Sequence, residues 1–311
     1  MSAPVLPTVI DRLRERGATD GATVEQITVG RSTLMVELAG LEGELDNTPR
    51  GREEQPTAGL AHRPPGDEPS TAGIDLETLL EWAEQSPVDS VPDRDAGSKS
   101  DATTLEIALG VAAVNALSTP FIEWQTGDPM ALLDSSVDTI ATVGLFRPAF
   151  RKFADVDVRV VERTPVDDVS TPDDVTVSTH RPTDAAAAMA GAEVVFITGS
   201  TLVYGGLEQY LEAAPETATV VLIGATASML PGPAFAAGVT VVAGASVTDT
   251  DRVREAIRAD ACGTELHEAG VQKVYTVIPT HTGSDRGLRL ARSDQQFADE
   301  PNDDRSERPD R

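Results

Sequence analysis

Between residues 137 and 278, short apolar runs alternate with helical stretches, and this alternation constrains the fold more than any other feature. The runs are Val137 to Leu145, Val156 to Val161, Val194 to Thr198, Val220 to Gly224, Val239 to Gly244 and Val271 to Ile278. Helical patterning lies between them, at Pro148 to Phe153, Thr183 to Ala190, Leu207 to Ala214, Pro233 to Ala237 and Asp249 to Arg258. Runs this short and this continuously apolar suit strands buried on both faces. Separated by helices, they predict a parallel sheet covered on both sides. The expected fold class is α/β, with a Rossmann-like three-layer domain over residues 134–279.

The first 133 residues have a different rhythm. Pro4 to Arg16 places Val5, Ile10 and Leu13 at helical spacing. Val24 to Val29 and Thr33 to Leu38 alternate around Gly30-Arg31, which predicts a hairpin. Ala58 to His62 reads as a third strand, and Ile74 to Glu84 as a helix with Asp75 near its start. Leu105 to Leu117 (LEIALGVAAVNAL) is an Ala-rich helix whose small side chains allow close packing on a sheet. Together these predict a smaller α+β domain. Polar inserts at Glu42 to Thr57 and Ser86 to Asp101 read as loops, the second a mobile one. Residues 280–311 carry few large apolar side chains and predict a disordered tail.

Charge excludes some functions. Fifty-one Asp and Glu face 25 Lys and Arg, a net charge of −26. The lysines are Lys99, Lys152 and Lys273. A nucleic-acid binder needs a basic footprint that this chain does not have, and an anionic membrane surface would repel it. No apolar stretch reaches about 18 residues, so no membrane-spanning helix is expected, and no secretory signal is visible. An acidic, lysine-poor chain suits a salt-adapted cytoplasmic protein, whose self-repulsion would weaken the fold in dilute buffer. The single Cys262 allows no internal disulfide and no thiolate-based structural zinc. Burial as a small apolar group is the expectation for it. His62, His180, His267 and His281 show no ligand spacing.

Open parallel sheets bind ligands beyond the carboxyl ends of their strands, where strand order reverses. Three loops stand at such ends: Gly144 to Pro148, Gly199-Ser200-Thr201 and Gly224-Ala225-Thr226. The first departs from the dinucleotide fingerprint, because Phe146 and Ala149 stand where glycines would let a pyrophosphate approach. Glu162 falls near the place of a ribose-binding acid. Arg147 reads either as an anion ligand or as a counter-charge to a neighbouring acid. In the second loop, Gly199, two hydroxyls and the Gly205-Gly206 pair follow an apolar strand and precede a helix. Such a loop can hold a carboxylate, a phosphate or a water-bound metal, or it can simply turn and cap the chain. No nucleophile elbow or Walker loop is present.

The segments IATVGLFRPAFRKF, VRVVER, VVFITGSTLVYGGLEQYL, ATVVLIGATASMLP and GVTVVAGASVTDTDRVREAI carry a family resemblance. They resemble the putative heavy-metal chelation family, here as an acidic member of haloarchaeal type. The resemblance implies a Rossmann-like domain preceded by a smaller domain similar to the amino-terminal domain of enolase, with a ligand cleft between them. Carried over, the cleft residues would be Gly144, Arg147, Glu162, Gly199, Ser200, Thr201, Gly224, Ala225 and Thr226. Asn115 would approach from the first domain. With one Cys and four His, a thiolate-rich site is impossible, and hard oxygen ligands would favour a divalent ion such as Mg²⁺ or Ca²⁺.

The leading expectation is a protein that binds a small molecule or metal complex in the interdomain cleft, with neither nucleic acid nor membrane as partner. The alternatives are a nucleotide-cofactor-dependent oxidoreductase or transferase, and a non-catalytic regulatory module.

Overall fold

The computed structural model describes residues 3–41, 56–86, 103–164, 166, 169, 171–278 and 287–290. Residues 42–55 and 87–102, which make up most of the two expected polar loops, lie outside these. So do 280–286 and 291–311 of the expected tail, including His281.

The first part contains helix α1 (Val5–Glu15), strands β1 (Thr23–Val29), β2 (Thr33–Ala39) and β3 (Thr57–His62), and helices α2 (Leu76–Glu84) and α3 (Thr104–Ser118). The three strands form an antiparallel sheet in chain order. Asp75 caps α2 by accepting the Thr78 N–H. Thr103 and Glu106 form a reciprocal capping box at the start of α3.

Helix α3 is buried almost all round, which suits its even apolar character. Its small residues are a geometric requirement. A Cβ at Gly110 would come within 2.3 Å of the Leu79 carbonyl oxygen, and one at Gly59 within 2.0 Å of the Ala112 oxygen. Without these methyl groups, α3 lies directly on α2 and β3. The 18-residue window Thr104–Phe121 reaches a mean hydropathy of 1.3, contrary to the sequence expectation. It is 72% buried inside the molecule, as the core helix of a folded domain would be.

The second part supplies β4 (Gln125–Thr126), β5 (Thr139–Val143), α4 (Arg147–Phe150), β6 (Val156–Val161), β7 (Val175–His180), α5 (Ala185–Met189) and β8 (Val194–Thr198). It continues with α6 (Thr201–Tyr204), α7 (Leu207–Ala213), β9 (Thr219–Ile223), α8 (Gly232–Ala236), β10 (Val241–Val247), α9 (Thr250–Arg258), α10 (Thr264–Ala269) and β11 (Val271–Val277). Eight strands form one sheet in the order β4-β11-β10-β9-β8-β5-β6-β7. The six from β10 to β7 are parallel. Helices flank this mostly parallel sheet, so the α/β fold class expected from the sequence is the observed one.

The strands β4 and β7, the helices α6 and α10, and the direction of β11 differ from the sequence reading. Strand β7 was not recognised, because VTVSTH alternates valines with hydroxylated residues. It is the edge strand, largely open to solvent on one side, so it needs no continuous apolar run. The last run, β11, pairs antiparallel with β10 and closes the sheet against β4. Helix α10 has few apolar residues and buries only Leu266 and Ala269.

A large apolar cluster joins the two parts, and a smaller one around Met35, Leu60, Val253 and Ile257 joins them again. Leu34, Leu79, Leu109 and Val114 from the first belong to the same buried group as Val143, Val195, Ile197 and Leu222 from the large sheet. Another cluster fills the opposite face of that sheet around Phe150, Val158, Phe196 and Val241. Four residues of the stretch expected to be an unpacked tail are described, and they are packed. Leu288 bridges to Leu133 and is buried, and the Arg289 N–H donates to the Leu132 oxygen at 2.7 Å. Cys262, expected to be buried, is exposed.

Candidate ligand site at the reversal of strand order

Strand order reverses between β5 and β8, the point at which a doubly wound sheet leaves a crevice. The chain leaves β5 through Gly144 at φ +94°, a conformation that favours glycine. The Gly144 N–H donates to the Val161 oxygen at 2.9 Å, so this turn is tied to the end of β6. A Cβ here would also press on Thr198 of β8 at 3.1 Å. After β8, the Thr201 hydroxyl donates back to the Thr198 oxygen at 2.8 Å, and the Tyr204 N–H donates to the Ser200 oxygen at 2.9 Å. Gly205 and Gly206, both at positive φ, then turn the chain into α7.

These turns enclose a cleft of about 330 Å³. Its polar wall is formed by Glu162 and Arg163 after β6, Ser200 and Tyr204 after β8, Tyr210 of α7, and His62 from the end of β3. Leu145 and Phe146 form an apolar side. The cleft therefore lies between the two parts of the molecule. The Arg163 guanidinium stacks over the Tyr204 ring, 4.0 Å from its centroid. The His62 ring lies on the same tyrosine at 6.3 Å, tilted by 50°. Among the described residues, Arg163 makes no ion pair with a carboxylate within 4.0 Å. The neighbouring Glu162 carboxylate accepts the Arg163 backbone N–H at 2.9 Å.

The surroundings set the charge states. Loss of water, helped by the nearby Arg163 charge, pushes the His62 imidazole below its ordinary value and favours the neutral ring. Burial raises the Tyr204 and Tyr210 phenols, outweighing the opposing pull of Arg163. Both hydroxyls are therefore un-ionised and can donate hydrogen bonds at neutral pH.

The residues expected from the sequence divide into three groups. Gly144, Glu162, Ser200 and Thr201 line the cleft. Gly224 and Ala225 line a neighbouring cavity of about 410 Å³, which shares Leu145 and Phe146 with the first. The remaining four lie outside both walls. Arg147 is exposed at the start of α4. Gly199 is a packing residue, because a Cβ would come within 2.7 Å of the Ala227 nitrogen. Thr226 is buried, and its hydroxyl accepts the His62 N–H at 2.9 Å, which fixes the end of β3 beside the cleft. Asn115 does approach from the first part, but it holds backbone. Its amide N–H groups reach the carbonyl oxygens of Leu60 at 2.8 Å, Thr226 at 3.1 Å and Ala225 at 3.3 Å.

Sequence reasoning missed His62, Arg163, Tyr204 and Tyr210 as cleft residues. One signal was available. The chain has three tyrosines, and two of them stand within seven positions of the GSTLVYGG segment. A tyrosine joins an apolar ring to a hydrogen-bonding hydroxyl, so the concentration of tyrosines beside a strand-end turn is the usable signal.

A directly held metal ion does not fit. Among the described residues, no group of three or more His, Cys, Asp or Glu is placed to hold one. Within the cleft, His62 and Glu162 are the donors of that kind.

Comparison with known proteins follows the same division. The sequence profile of DUF364, described as "Putative heavy-metal chelation", matches residues 128–276. No curated protein matches the chain. A DUF364 protein of unknown function from Pyrococcus horikoshii superposes with a TM-score of 0.64 at 20% identity, over 87% of this chain and 100% of that one. Another of unknown function, from Desulfitobacterium hafniense DCB-2, gives 0.61 at 15% identity, over 88% and 99%. The second part of the chain thus matches the DUF364 family, and most of the chain shares the fold of two solved members of that family.

Proposed function

We propose that the chain binds a small, flat organic anion in the cleft at the strand-order reversal, and that any metal arrives there as part of an organic complex. Arg163 carries this reading. Its guanidinium is stacked on Tyr204 without a carboxylate partner among the described residues, in a chain with 51 acidic ones. Arg163 also meets the Tyr204 hydroxyl, and a guanidinium has further N–H donors to offer a carboxylate or phosphate. The tyrosine hydroxyls and Ser200 add neutral donors, and Glu162 can accept from a hydroxyl or amine on the same ligand. Phe146 offers a flat apolar surface, and clefts between domains are common sites for such ligands. The family description supports a metal-related role, and the sparse donor set favours chelator over bare ion.

Titration calorimetry tests this in concentrated KCl. The probes are pyridine-2,6-dicarboxylate, its zinc complex, and Zn²⁺ alone, against the natural protein and Arg163→Ala. The expected result is near-stoichiometric binding of the dicarboxylate or its complex, weakened by about tenfold or more in the variant. Stoichiometric free zinc, or no binding of either anion, would overturn the reading.

A second reading, a nucleotide-cofactor-dependent oxidoreductase or transferase, is supported by Glu162. It follows the strand next to β5 and lines the cleft, where dinucleotide-binding folds place the acid that reaches ribose hydroxyls. Binding of a nicotinamide dinucleotide or S-adenosylmethionine that is lost in Glu162→Ala would favour it. The antiparallel sheet followed by two helices also supports reading residues 1–133 as an enolase N-terminal-like domain.

A further inference from the structure

The neighbouring cavity is chemically unlike the cleft. Its walls are mostly apolar, with Met130, Leu266 and Val271 among them. Its polar end carries Asp128, Lys152 and Lys273. The chain has only three lysines, so two of them stand at this one place. Apart from Lys99, the remaining Lys and Arg positions are all arginine.

Both ammonium groups bind the same oxygen, Oδ2 of Asp128, with Lys273 at 2.7 Å. Burial would push the Asp128 carboxyl up, but the two lysines together outweigh it and hold it below the ordinary aspartate range. Two positive charges face one negative charge, which leaves a local net charge of one plus inside a strongly acidic molecule. The lysines come from separate elements. Lys152 follows α4, and Lys273 sits on β11. Each keeps part of its side chain in solvent, so each can turn one of its remaining N–H donors to an incoming group. A compact ammonium on a flexible stem suits such shared contact better than a planar guanidinium.

We propose that this cavity is a second, separate binding site, and that it takes a small amphiphilic monoanion. The anion's carboxylate meets Lys152 and Lys273, and its aliphatic or aromatic body lies on the apolar wall. Asp128 holds the two ammonium groups together when the site is empty and competes with the anion for them. This inference does not rest on the reading of the first cleft.

The competition makes the proposal testable in two directions. The probe is octanoate, an aliphatic carboxylate without the flat ring that the first cleft is proposed to take, followed by titration calorimetry, with octanamide as the neutral counterpart. The proteins are the natural chain, Lys152→Gln/Lys273→Gln, Asp128→Asn and Arg163→Ala. Affinity for the carboxylate is expected to fall by about tenfold in the double lysine variant. It is expected to rise several-fold in Asp128→Asn, where the competing charge is gone, and to stay unchanged in Arg163→Ala. A merely structural ion cluster would not tighten binding when Asp128 is neutralised.

Unsaturable binding, equal affinity in all four proteins, or a carboxamide that binds as tightly as the carboxylate would overturn the proposal. Loss of binding in Arg163→Ala would also overturn it, by placing the probe in the first cleft. If circular dichroism shows the double variant unfolded, Asp128→Asn decides alone. Tighter binding there supports the site, and unchanged or weaker binding removes it.

Discussion

The Glu37 carboxylate, fully buried in β2, is held by the Nε–Nη2 edge of the Arg254 guanidinium from α9, with Nε at 2.9 Å from Oε2. This ion pair fastens the small sheet to a helix of the second part. Contact with Glu37 raises the Arg254 side chain further above its ordinary value, so the arginine stays charged. A buried pair adds little over an apolar replacement, but breaking one side leaves a stranded charge. Arg254→Ala is therefore expected to cost about 3–5 kcal/mol in denaturant unfolding. Glu37→Leu/Arg254→Met should recover most of that loss. A single variant that loses almost nothing would show that Glu37 finds water or another partner.

Asn115 makes a similar connection with neutral groups. Its amide N–H groups face three carbonyl oxygens, and its own oxygen has no hydrogen-bond partner among the described residues. Asn115→Asp would replace the donor with an acceptor opposite those carbonyls. The expected loss is about 3 kcal/mol or more at neutral pH. Because a protonated Asp regains a donor, the loss should shrink as pH falls, and unfolding midpoints at several pH values check both statements.

Gly59 tests the close approach of β3 to α3. A Cβ there would sit 2.0 Å from the Ala112 oxygen and 2.3 Å from the Ala116 nitrogen, and both are backbone atoms that cannot rotate away. Gly59→Ala is expected to destabilise by about 1–3 kcal/mol or to shift the helix. Unchanged thermal unfolding would mean that the two elements are less closely packed.

His62 links pH to both stability and binding, with opposite signs. Its folded-state value lies below its ordinary one of 6.5, first through loss of water and then through Arg163. The unfolded chain therefore takes up this proton before the folded protein does. The corresponding stability is present in full above that ordinary value and is lost as pH falls toward the folded one. An anion bound beside the ring acts the other way and should bind more tightly as the ring gains its charge. In His62→Gln both slopes should flatten, measured as the difference from the natural protein.

The net charge of −26 predicts a dependence on salt. Raising KCl from about 0.1 M to molar concentrations shortens the Debye length from about 10 Å to about 3 Å and screens the repulsion. The unfolding midpoint should rise over this range. An equal midpoint at both ends would show that the acidic surface does not limit stability.

Much of this protein could be read directly from residues. The short valine-rich runs of the second part admit few arrangements other than a sheet covered on both faces, because most of them are apolar on both sides; β6 and β11 depart from this with Asp157, Arg159, Gln272 and Lys273. Asp75 marked a helix start, since a cap acts within one turn of its own chain; the Thr103–Glu106 box came only with the structure. The edge strand Val175–His180 escaped because an open face removes the demand for apolar residues. Gly144, Ser200 and Thr201 were legible as residues near the crevice for a topological reason, and Glu162 from its spacing after Gly144. In a doubly wound sheet, the loops that follow the strands around the reversal must meet there.

The remainder depended on chain segments that are distant in sequence. His62 reaches the cleft because the small sheet packs against the carboxyl end of the large one, and no local pattern near residue 62 encodes that approach. Gly199 and Asn115 look like ligand residues in one dimension, but in three they are spacers and ties. Lys152 and Lys273 are far apart along the chain, yet both end on Asp128. The sequence by itself determined the layers, the helix starts and the place of the crevice, because these follow from local pattern and sheet topology. Only the tertiary structure decided which side chains face the crevice, because that depends on how the two parts pack.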